Sequence, residues 1–93
     1  MITAIVSITV ESDQIPEVAQ RIANTEEVSK VYSVTGDVDL IAEVRVREHE
    51  ELADVIAGTI SKVPGVVSTT TNIAFRTYSS DDLDAAFDLG AVN

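Results

Sequence analysis

Hydrophobic and polar residues alternate from the start of the chain. Ile2, Ala4, Val6, Ile8 and Val10 would share one face of a strand, with Thr3, Ser7 and Thr9 on the other. Ile5 interrupts the polar set, which predicts that the second face is also partly covered. Glu11-Ser12-Asp13 ends the alternation, and the period then changes. Ile15, Val18, Ala19, Ile22 and Ala23 recur at the spacing of one helix face. Pro16 suits the first helical turn, where a missing N–H costs little, and Asn24 can end the helix.

A β-branched stretch from Val28 to Thr35 predicts a second strand. Gly36-Asp37 follows, and a third strand runs through Val38, Leu40, Ala42, Val44 and Val46. A Gly-Asp pair between two such runs signals a hairpin turn, because glycine accepts positive φ without a Cβ clash. Arg47 to Glu51 opens a second helix, whose buried stripe would be Leu52, Val55, Ile56, Thr59, Ile60 and Val63. Glu48, Glu50 and Glu51 favour the positive end of its dipole. Pro64-Gly65 stops it and suits the middle of a type II turn. A last strand then runs from Val66 to Tyr78, with Val67, Thr69, Thr71, Ile73 and Phe75 alternating. Ser79-Ser80 resembles a helix N-cap. Leu83, Ala86 and Phe87 give a short stripe beyond it, and Gly90 can cap that stub.

The order strand, helix, strand, strand, helix, strand predicts an α+β, ferredoxin-like βαββαβ domain. Right-handed crossovers would put both helices on one face of a four-stranded antiparallel sheet. Ile5, Val31 and Ile41 are expected on the bare face, which calls for a partner subunit.

Composition narrows the function. At 93 residues the chain is one domain, and 45% hydrophobic residues suffice for a core. The net charge of −10 opposes direct binding to a phosphate backbone or an anionic membrane, since both need clustered Lys and Arg. The absence of cysteine excludes a disulfide scaffold, a thiolate zinc site and a cysteine nucleophile, and it fits a reducing cytoplasm. The N-terminus lacks the basic stretch of a signal peptide, and no apolar run is long enough to span a bilayer.

Few residues carry candidate chemistry. His49 is the only histidine, sits in a charged helix entrance and lacks the companions that a metal site or a nucleophilic triad needs, so neither a metal nor a catalytic residue is expected. Asp37 and Asp39 would share a face on a regular strand and could hold a cation or an ammonium group. Turn chemistry alone explains Asp37, but it explains less of Asp39, which falls where a strand disfavours aspartate. Ser68, Thr69, Thr70 and Thr71 offer hydroxyls that would also suit a zwitterionic ligand, although threonine is common in strands. Gly36 and Gly65 are turn glycines that would also let backbone N–H groups approach a carboxylate. No phosphate-loop or dinucleotide fingerprint is present, and no cofactor is expected.

The segment Val31 to Leu40, with Thr35-Gly36 followed by Asp39, resembles the hairpin of the effector-binding domain of Lrp/AsnC transcription regulators. Val63-Pro64-Gly65-Val66, followed by Thr69, Thr71 and Ile73, is similar to the entry to that domain's last strand. The resemblance covers residues 1–78, leaving 79–93 as a short helical tail. It implies a dimeric α+β barrel, assembly into rings of dimers such as octamers, and an amino acid or similar small effector bound between dimers. It points to Gly36, Asp37, Asp39, Thr69 and Thr71 as ligand-binding residues. Asp39 would hold the effector's ammonium group and the Gly36 backbone its carboxylate. Members usually carry an N-terminal helix-turn-helix. Met1 here lies almost at the first strand, so the expectation is a stand-alone module that modulates transcription through full-length relatives without binding DNA. A small α+β-barrel oxygenase or isomerase and a ligand-free structural oligomer remain the alternatives. An ACT-type regulatory domain shares the frame, but its early ligand-binding loop is not apparent.

Overall fold

The computed structural model describes residues 1–80. Four strands and two helices alternate in the expected order: β1 (Ile2–Val10), α1 (Ile15–Ala23), β2 (Val28–Ser33), β3 (Leu40–Val46), α2 (His49–Ile56) and β4 (Val66–Ile73), with a 3-10 turn at Ile60–Lys62. The strands form one antiparallel sheet in the order β2-β3-β1-β4, which is the ferredoxin-like arrangement. The stub expected from Leu83 to Gly90 lies outside the described residues.

The alternation in β1 becomes a sharp division of its two faces. Ala4, Val6 and Ile8 are fully buried, and they pair across β3 with Val44, Ala42 and Leu40, which are equally buried. Val18 and Ile22 of α1, Leu52 and Val55 of α2, and Ile60 of the 3-10 turn close over this face. No polar or charged residue is buried among the described residues. The core is therefore aliphatic, as the scarcity of aromatics requires.

Local chemistry sets the helix ends. Pro16 occupies the first turn of α1, and the Asn24 N–H caps its end on Gln20 O. In α2, Glu48 is the N-cap, and its N–H donates to Glu51 Oε1 at 3.2 Å. Two boundaries differ from the sequence pattern. The second helix ends at Ile56, and a turn and a 3-10 segment replace the predicted continuation to Val63. Thr59 is exposed accordingly. β4 ends at Ile73, so the alternating apolar set stops early and leaves Phe75 95% exposed. Pro64-Gly65 forms the expected turn. Gly65 has φ +102°, and the Val66 N–H donates to Val63 O at 3.1 Å.

Val31 corrects the sequence reading. It faces the core with its cross-strand partner Ala42, not the bare side. A register shift between Val28 and Lys30 inserts one residue, and one residue is enough to exchange faces. Tyr32 takes the bare position, opposite Ile41. A second bulge near Val10 leaves Val67 58% exposed instead of in register with Thr69.

Candidate effector site at the hairpin end of the sheet

The β2–β3 connection is a six-residue loop, Val34 to Asp39, not a tight two-residue turn. The Val34 N–H closes it by donating to Asp39 O at 3.0 Å. Gly36 lies at its tip with φ +118°, in the region that favours glycine, and nothing stands within 4 Å of where a Cβ would be. The Gly36 backbone is thus open to approach from outside. Asp37 beside it is exposed.

Asp39 holds the base of the loop. Its N–H donates to Ile8 O at 3.0 Å, and its Oδ2 accepts the Val10 N–H at 2.8 Å. It precedes β3, which resolves the puzzle of an aspartate inside a strand. The expectation that Asp37 and Asp39 share a strand face therefore does not hold, because neither belongs to a strand. Asp39 Oδ1 accepts no hydrogen bond from the described residues. Nothing in the sequence identified Val10, because its contribution is a backbone N–H.

Thr69 and Thr71 are half-buried on β4, where they pair with Ile8 and Val6 of β1. Leu40, next to Asp39, pairs with Ile8 from the opposite side. Asp39 and Thr69 thus flank the same stretch of β1, two strand spacings or roughly 10 Å apart. Thr71 lies roughly 7 Å farther along β4, away from the loop. One chain therefore puts Gly36, Asp37 and Asp39 together and holds the threonines apart from them. An exposed cleft of about 360 Å³ lies at the other end of the sheet, lined by Met1, Glu26, Glu27, Arg45, Val46, Arg47 and Glu51, and contains none of these residues. His49 is exposed, and no group of three or more His, Cys, Asp or Glu residues is placed to hold a metal among the described residues.

The family model for the Lrp/AsnC ligand binding domain matches residues 3–83. The chain belongs to that family. It is 35% identical over 75 residues to an HTH-type transcriptional regulator, FL11, from Pyrococcus abyssi, covering 81% of this chain and 49% of that one. It spans about half the length of the curated relatives it matches. The crystal structure of TTHA0845 from Thermus thermophilus superposes with a TM-score of 0.80 at 43% identity, over 85% of this chain and 99% of that one. A feast or famine regulatory protein from M. tuberculosis, complexed with L-methionine, gives a TM-score of 0.73 at 30% identity, over 87% of this chain and 54% of that one. Among the described residues no helix is long and apolar enough to cross a membrane.

Proposed function

We propose that this Lrp/AsnC-type domain is an amino-acid-binding and self-assembly module of the cytoplasm, not an enzyme. It modulates transcription through regulators of its family without binding DNA itself. Residues 1–78 form the module, and 79–93 extend it. The observation that carries the effector reading is the rim formed by Gly36 and Asp39. Gly36 offers an unobstructed backbone for a carboxylate. The Val10 N–H fixes the Asp39 carboxylate through one oxygen and leaves the other for an ammonium donor. The L-methionine complex of a 30% identical relative supports the ligand class.

Self-pairing follows from the face without helices. Its positions include Thr3, Ile5, Ser7, Tyr32, Ile41 and Thr70, and its two cations, Lys30 and Arg45, stand opposite the carboxylates of Glu43 and Glu27. A chain of net charge −10 thus keeps its acid surplus off this face. Two copies can meet there with little repulsion and bury Ile5, Tyr32 and Ile41. Since Thr69 and Thr71 do not reach the hairpin within one chain, a neighbouring copy completes the site, as in a ring of dimers.

The Asp39–Val10 bond also favours a second reading, in which Asp39 only secures the loop of a ligand-free oligomer. Calorimetric titration with the common amino acids separates the two. The effector reading expects heat with at least one of them. It also expects affinity to fall at least tenfold in Asp39→Asn, which keeps an acceptor for Val10 but loses the charge. No heat with any amino acid, from a particle that remains assembled, overturns it.

A further inference from the structure

The cleft at the far end of the sheet takes no part in the hairpin site, and its lining is unlike the rest of this acidic chain. It encloses about 360 Å³, and Arg45, Arg47, Glu26, Glu27 and Glu51 line it. Two of the chain's six cations thus meet there. The alternation of β3 turns them out together. Val46 between them is buried, while Arg45 and Arg47 are both exposed.

Backbone bonds hold the walls in place. The Arg45 N–H donates to Glu27 O at 2.9 Å, which fixes the segment before β2 against β3. That segment is itself a tight turn, in which the Val28 N–H donates to Thr25 O at 3.0 Å. On the α2 side, Glu51 is tied to the helix start, because its Oε1 accepts the Glu48 N–H. The charged side chains are not spent on one another. Among the described residues neither guanidinium closes an ion pair with a carboxylate, and the second oxygen of Glu51 accepts no hydrogen bond.

An open cleft that carries both signs of charge unpaired suits a ligand that also carries both. A carboxylate matches the planar fork of a guanidinium. Three glutamates against two arginines leave the lining one negative charge in surplus. A neutral zwitterion would not offset that surplus, whereas a ligand with one carboxylate and two ammonium groups would. The volume falls in the range of small-molecule sites, roughly 300–1,000 Å³. We infer that this cleft is a second binding site, separate from the hairpin, for a free amino acid with a cationic side chain. Arg45 and Arg47 take the ligand's carboxylate. Glu26 and Glu27 on the β2 side and Glu51 on the α2 side take its ammonium groups. The inference does not rest on the effector reading of the hairpin.

Calorimetric titration of the Asp39→Asn protein with L-lysine tests it, because that change removes the charge proposed to hold an effector at the hairpin. Heat should remain, with one lysine bound per chain. L-Norleucine, the same carbon skeleton without the side-chain ammonium, should bind at least about tenfold more weakly. On the same background, Arg45→Gln and, separately, Arg47→Gln should each weaken lysine binding at least about tenfold, with an unchanged far-ultraviolet spectrum. Lysine heat that is present in the unsubstituted protein and lost in Asp39→Asn overturns the inference and assigns lysine to the hairpin. No lysine heat in either protein, equal binding of norleucine, or full binding by both arginine variants also overturns it.

Discussion

The two faces of the sheet have nearly the same backbone and opposite chemistry. Along β1, Ala4, Val6 and Ile8 are sealed under α1 and α2, while Thr3, Ile5, Ser7 and Thr9 on the other side are only half-buried. The covered face is aliphatic on β1 and β3 and carries the half-buried hydroxyls of Thr69 and Thr71 only along its β4 edge. The open face mixes hydroxyls with Ile5, Ile41 and Tyr32 and places Lys30 beside Glu43. The difference separates two tasks. One face holds the chain folded, and the other is suited to contacts that form between chains. Substitutions on the two faces should therefore fail in different ways. The largest effect belongs to Ile8→Ala, which opens a cavity at a fully buried position. It should cost about 2–5 kcal/mol. Denaturant unfolding should show this loss even at protein concentrations where no association occurs.

Ile41→Asp tests the other side of the comparison. Ile41 pairs with Ser7 and Tyr32 on the open face. A symmetric contact would bring in two copies of the new charge. Like charges set against each other across an interface cost several kcal/mol. Sedimentation should report loss of pairing at micromolar concentration, while the far-ultraviolet spectrum stays unchanged. Unfolding instead of dissociation would mean that the open face belongs to the chain's own core, and the division of tasks would be lost.

Asp39→Ala should have an intermediate effect, because Asp39 acts at the margin between the faces. The Val10 N–H would lose its acceptor, and Val10 is buried. The expected cost is about 1–3 kcal/mol. Asp39→Asn, which retains an acceptor, should recover most of it. Thermal unfolding of the two variants side by side is the measurement. Equal losses in both would mean that the charge, and not the bond to Val10, stabilises the loop.

The fold was legible because burial obeys period. Period two in β1 and period 3.6 in α1 are direct records of which side meets the core, so the element order and most of the core could be read from the residues. Reading failed wherever one extra residue changed the phase. The inserted residue in β2 moved Val31 to the covered face and gave Tyr32 the open one, and the bulge opposite Val10 turned Val67 out. Bulges leave little trace in hydropathy, since both phases of a β-branched stretch look alike. The candidate site was only half legible. Gly36, Asp37 and Asp39 stand together because they are neighbours in the chain. Thr69 and Thr71 lie apart from them in one chain, and a single sequence carries no direct record of a contact between chains. The role of Asp39 in holding Val10 was illegible for another reason: its partner is a backbone N–H, identical at every residue but proline.

The smallest effect is that of salt on pairing, and here its sign is the test. Chains of net charge −10 repel at long range, and screening becomes effective when the Debye length falls to about 10 Å, near 0.1 M ionic strength. In the proposed pairing, attraction across the open face comes from Ile5, Ile41 and Tyr32, which salt does not weaken. Lys30 and Glu43 are cross-strand neighbours, so their charges largely compensate within one chain. An exposed pair of this kind is worth at most about 1 kcal/mol, and it has no need to reach across an interface. Raising the salt from low concentration to above 0.1 M should therefore tighten pairing, by about tenfold or less. Equilibrium sedimentation over that range reads it directly. Loosening instead of tightening would show that ion pairs between copies hold the contact, and that the open face is an electrostatic surface despite its three large apolar side chains.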